Sequence, residues 1–306
     1  MTKYNSRAWA SHLFDVEGSM VREIFRRVAA CVLGAAIVVL ISVVSPETIR
    51  YFAIPVTAHS LIGTALGLLL VFRTNSSYDR FWEGRKQWGA INNECRNLAR
   101  QANIWLASDP KLMREVIRWT IAFPYATMQR LWSLPGLGVR LNDVSPADVA
   151  QVEASKHLPL AISRLLTQRL FTACQQGLID SRQLVAFDQN LTLLVDYCGA
   201  CERIHSTPMP FAYAVHLRRV LIVYCMTLPL AFVKDFGWAT IPATLLTSYI
   251  LFGVEEIGVE IEDPFERTVN DLPIQSYCQG IDVILSEICD ESPDIALRLP
   301  FENHNS

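Results

Sequence analysis

Charge is what this sequence has little of. Asp, Glu, Lys and Arg supply 19% of its residues, while 51% are hydrophobic; a water-soluble domain carries about 25% charge. The net charge of −3 leaves no basic footprint for a nucleic-acid partner. Catalytic signatures are also missing: there is no GxSxG elbow, P-loop, HExxH pair or Rossmann glycine run. The six histidines are far apart, and the eight cysteines make no repeated zinc spacing, so no metal site or cofactor is expected. Cys198 and Cys201 form a CGAC pair, but late in a helical pattern and without a βαβ context, which favours reduced core thiols over a redox centre. An enzyme therefore ranks last among the functions considered. No alternating strand pattern, internal repeat or low-complexity segment appears. The first 27 residues hold Trp9, Phe14, Asp15 and Glu17 and no small-residue cleavage site, so a cleaved signal peptide is not expected.

The missing charge is concentrated. Val28–Ser45 has none, Ala53–Phe72 has none apart from His59, and Phe236–Val254 has none. The run from 210 to 233 is a fourth window. A bilayer core needs roughly 20 apolar residues of helix, so spans are expected at about 28–45, 53–72, 210–233 and 236–254. Arg22, Arg26 and Arg27 precede the first span, Arg73, Arg80, Arg85 and Lys86 follow the second, and Arg218 and Arg219 lie near the start of the third. This bias puts both termini in the cytoplasm, with Pro46–Phe52 an external loop and Lys234–Asp235 an external turn.

The regions from about 73 to 206 and from 255 to 306 read as a helical cytosolic part. Asn75–Ser77 can cap a helix running to about Ala107. Asp109-Pro110 and Ser145-Pro146 start others, with proline in the first turn. Gly177 ends a helix that begins near Pro159, Asp180 caps the next, and Pro273 starts a last helix to about Cys289. The whole chain, 1–306, reads as one domain.

The stretch Pro55–Trp88 combines these features. Ser60, Gly63 and Gly67 share one side of a helix, suited to close helix packing. Thr57, Leu61, Ala65 and Leu68 share the neighbouring side. His59 is an ionisable group within a span, which marks either a functional position or the external interface. Glu255, Glu256 and Glu260 form a carboxylate group after the fourth span. Three readings stand for it: a hard-cation site, a solvated helix end, or pairing with arginines of a neighbouring subunit.

Three segments, RTNSSYDRFWEGRKQWG (73–89), CERIHSTPMPFAY (201–213) and EEIGVEIEDPFERTVNDLP (255–273), resemble the bestrophin family of ion channels in its bacterial branch. The resemblance covers nearly the whole chain. It implies an all-α pentamer with four membrane helices and a cytosolic helical part per subunit, around one axial pore. It places Leu61, Ala65 and Leu69 in a hydrophobic pore neck, with Ile62 and Leu68 as neighbours. Ala65 is small where the family is bulky, which argues against tight gating there. A cytosolic aperture falls at Arg182, or at Ile179. The acidic run that binds calcium in eukaryotic members reads Glu266-Arg267-Thr268-Val269-Asn270-Asp271 here, so calcium is not expected to activate.

The expected function is a homopentameric channel of the bacterial inner membrane, in contact with lipid and passing monovalent ions. Chloride is favoured by Arg182. A sodium-conducting channel is the alternative, with His59, Glu255, Glu256 and Glu260 as vestibule charges. From a different class, a membrane-anchored scaffold without conductance also fits. Proton-coupled transport through His59 lacks an inverted repeat to support it.

Overall fold

A computed structural model describes residues 20–141 and 144–289. All regular structure among them is helical, in ten α-helices. These are α1 (Val21–Val44), α2 (Pro46–Phe52), α3 (Val56–Trp105), α4 (Pro110–Leu131), α5 (Pro146–Glu153), α6 (Leu158–Gln175), α7 (Ser181–Ser206), α8 (Phe211–Phe236), α9 (Thr240–Glu260) and α10 (Ile274–Ile288). Residues 1–19, 142–143 and 290–306 lie outside the described residues.

The chain divides into two compact units. The first holds residues 1–81, 208–263 and 268–270. Its core joins Ile24, Val28 and Cys31 of α1 to Leu66 and Leu70 of α3, Leu217, Leu221 and Cys225 of α8, and Phe252 of α9. The buried side of α1, Ile24–Val28–Cys31–Ala35–Val39, repeats at helical spacing. Opposite it, Thr240, Thr244 and Ser248 of α9 are fully buried. Small side chains at i, i+4 and i+8 let α1 and α9 pack over their length.

Three stretches are long and apolar enough to cross a membrane: Val21–Val44, a window within Val56–Trp105, and Phe211–Glu260. The last is two helices, α8 and α9, which pack against each other. The turn between them falls at Gly237 (φ +51°), where a side chain is disfavoured, and not at Lys234–Asp235, which finish α8. Four helices carry the expected spans, and the first helix starts ahead of its span, at Val21. Pro46–Phe52, expected as an external loop, is itself a short helix.

The second unit holds residues 82–207, 264–267 and 271–306. Its centre is α4, buried at every position from Val116 to Gln129 and packed by α6, α7 and α10. The start signals act as their chemistry predicts. The Asp109 carboxylate accepts from the Leu112 N–H at 3.1 Å. Asp180 and Gln183 form a reciprocal capping box. Gly177 ends α6 at φ +74°. In this unit Gly84 lies under the turn at 264–265: a Cβ there would come within 2.8 Å of Pro264 Cγ. That absence of a side chain lets Phe265 bury fully, with Trp88 as its aromatic neighbour.

One expected boundary is absent. Asn75–Ser77 caps nothing, because α3 runs unbroken through it. The preceding residues (Leu-Leu-Val-Phe) already supply helical carbonyls, and Thr74 Oγ1 donates back to the Leu70 carbonyl at 3.0 Å. Asn and Ser in a helix interior cost only tenths of a kcal/mol, too little to open a helix that is propagating.

Candidate functional site: an apolar stripe and a buried charge belt

α3 is two-sided within the first unit. His59, Leu66, Leu70, Arg73 and Ser77 are buried on one side. On the opposite side Leu61 (74% exposed), Leu68 (56%) and Phe72 (58%) form an uncovered apolar stripe with Thr57 and Ala65. Ile62 is exposed at its flank. Leu69 does not share the stripe: it is half-buried against the core, and its carbonyl accepts from the Tyr213 hydroxyl at 3.3 Å. Steps of four residues drift about 40° each around a helix, so Leu61–Ala65–Leu69 leaves the face that Leu61–Ala65–Leu68–Phe72 keeps. Phe72 was missed as a stripe residue; the alternating spacing of four and three carried the signal. Of the small residues, Gly63 faces Tyr224, whose hydroxyl lies 2.4 Å from where a Cβ would stand. Ser60 is exposed, and nothing lies within 4 Å of a Cβ at Gly67.

His59 is 4% exposed, with its ring edge-to-face against Tyr224 at 4.2 Å. Among the described residues neither ring nitrogen has a hydrogen-bond partner. It is a packed side chain and does not open onto the stripe.

Of the carboxylates after the fourth span, Glu255 and Glu256 are buried and paired within the chain. Glu255 is 1% exposed and accepts from Arg218 Nε at 2.9 Å and Arg27 Nη1 at 3.3 Å, with Arg73 Nη2 at 3.8 Å. Glu256 accepts from Arg27 Nη1 at 2.8 Å. Arg73, itself 1% exposed, also lies 3.6 Å from Glu262. Glu262 accepts the Met209 N–H at 2.8 Å. Three arginines and three carboxylates thus balance within one belt that ties α1, α3, α8 and α9 together. Burial of unpaired charge costs several kcal/mol, and the pairing within the chain offsets that cost. Glu260 is half-buried and accepts from Asn270 Nδ2 at 3.3 Å. Among the described residues no group of His, Cys, Asp and Glu could hold a metal.

In the second unit Ile179 is buried at 4% exposure, so its side chain is not presented to solvent. Arg182 is exposed on the first turn of α7. Asp180 does not pair with its guanidinium; it accepts the backbone N–H of Arg182 at 2.8 Å as part of the cap. Val185 is exposed one turn on. The Cys198 thiol is buried and pushed up to about 12 by desolvation, and Cys201 is raised by the same cause. Both stay protonated at neutral pH, which suits core thiols.

These features define an all-helical membrane protein: four apolar helices tied by a charge belt centred on the buried Arg73 and Glu255, with a helical second unit. The chain belongs to the bacterial bestrophins, residues 1–287 matching the family described as Bacterial/Fungal Bestrophin protein. It is 36% identical to a voltage-dependent anion channel-forming protein of Nostoc sp., over 94% of both chains. It is 29% identical to the voltage-dependent anion channel-forming protein YneE of Escherichia coli, over 95% of both. The crystal structure of a bacterial bestrophin homolog from Klebsiella pneumoniae matches with a TM-score of 0.81 at 27% identity, covering 88% of this chain and 100% of that one.

Proposed function

We propose that this chain assembles as a homopentamer in the bacterial inner membrane and conducts chloride through an axial pore lined by α3. The observation that carries this is the uncovered stripe Leu61–Ala65–Leu68–Phe72, set in a membrane helix whose other side is fully packed. Five such stripes around an axis make an apolar neck, which passes ions without holding them and closes by dewetting where it is narrow. The small Ala65 keeps its middle wide, while Phe72 supplies bulk at one end. Arg182 and Val185 stand at the aperture. Arg182 attracts anions there, in keeping with the names of the relatives. With Glu255 and Glu256 paired to arginines, the sodium-conducting alternative keeps only Glu260 of the carboxylates that motivated it.

The test is the reversal potential of reconstituted protein in a KCl gradient. Chloride selectivity is expected for the wild type, and a shift toward cations for Arg182→Glu. An unchanged reversal potential removes Arg182 from the aperture. No flux at all favours a scaffold.

A further inference from the structure

We propose that the first unit carries a binding site for one acyl chain and the phosphate of an anionic phospholipid, on the outer flank of α1 and α9. A groove of about 560 Å³ runs there, walled by Ile24, Val28, Val32 and Ala36 of α1 and by Leu245 and Tyr249 of α9. That size lies within the range of small-molecule sites, about 300–1,000 Å³. Its lining extends from Val21 to Ala36, about 22 Å of helix. One leaflet of a bilayer core is about 15 Å deep, so the groove accommodates an acyl chain along its length.

The charge at one end chooses the occupant. Arg22, Arg26, Ala29 and Leu33 follow one another at i, i+4, i+7 and i+11, a single row on α1. Ala29 and Leu33 line the groove, and the two arginines continue the row along its edge at the Val21 end, exposed. Arg27, on another side, is committed to Glu255 and Glu256. Glu23, also exposed, turns about 100° further from the groove than Arg22. A second protein helix would need only the apolar wall; an anionic lipid also uses the paired cations, which attract acidic headgroups by about 1 kcal/mol each. The site does not depend on conduction, so it stands or falls separately from the channel reading.

The full chain is purified in detergent with equal phosphatidylglycerol and phosphatidylcholine, and bound lipid per subunit is counted by native mass spectrometry. Wild type is expected to retain phosphatidylglycerol preferentially. Arg22→Gln with Arg26→Gln is expected to lower that retention about thirtyfold, whereas Arg22→Lys with Arg26→Lys keeps most of it. Ala29→Trp is expected to expel the lipid with the subunit count unchanged. Equal retention of the two lipids by wild type, or of phosphatidylglycerol by the Gln variant, overturns the proposal. So does a change in subunit count with Ala29→Trp, which makes the groove an interface between copies. Higher retention after removal of residues 1–19 also overturns it, because that segment would then be the occupant.

Discussion

Glu255 serves three arginines with two oxygens, and that asymmetry decides what its loss does. Glu255→Gln leaves Arg73, 1% exposed, with Glu262 as its remaining carboxylate neighbour at 3.6 Å. Breaking a buried pair from one side costs about 3–5 kcal/mol. A large fall in the thermal midpoint in detergent is expected, against little change for Glu260→Gln. Gly84→Val drives a branched side chain into Pro264 and Phe265, and overpacking of this kind costs about 1–3 kcal/mol; chemical denaturation measures it. Glu202 sits between Arg130 at 2.7 Å and His157 at 3.2 Å. Burial alone would raise its carboxyl, but the hydrogen bonds and charge interactions with Arg130 and His157 outweigh that and hold it below the usual range. The stabilisation it brings is therefore complete above the unfolded carboxylate value, about 4.3, and is lost as pH falls through the folded one. Because the group is partly exposed, Glu202→Gln should cost under about 1 kcal/mol at pH 7, with the difference from wild type vanishing in acid. None of these partnerships was legible in the sequence: Arg27 lies 228 residues before Glu255, and a carboxylate after an apolar run reads the same whether solvated or clamped.

At the scale of elements, α3 separates what periodicity carries from what it leaves open. Its two faces followed from the spacing of Thr57, Leu61, Ala65 and Leu68. Which face packs inward did not, because both are apolar. The buried side is the one that meets α1, α8 and α9 through Leu66 and Leu70. This yields a paired expectation. Leu70→Ala should cost about 2–5 kcal/mol in a thermal melt, and Leu68→Ala should leave stability nearly unchanged while altering ion flux. Matching losses of stability at both positions would refute the two-sided reading of α3. The turn between α8 and α9 makes a related point. A charged Lys-Asp pair marked it in the sequence, yet the helix continues through those residues, and the reversal waits for Gly237, where the backbone tolerates positive φ.

For the whole molecule, the fold class and the four membrane helices follow from where charge is absent, because lipid admits only helices or closed barrels and no strand pattern was present. Calcium should leave the flux of reconstituted protein unchanged, since residues 266–271 lack a run of carboxylates; activation by micromolar calcium would overturn this. The sequence by itself determined helix starts, helix faces and the membrane character, since capping, periodicity and transfer free energy act within a few residues. Only the tertiary structure decided which face of α3 packs inward and that Glu255 and Glu256 are neutralised at home. Those outcomes depend on groups distant along the chain, and only packing shows which of two chemically similar faces or partners each one meets.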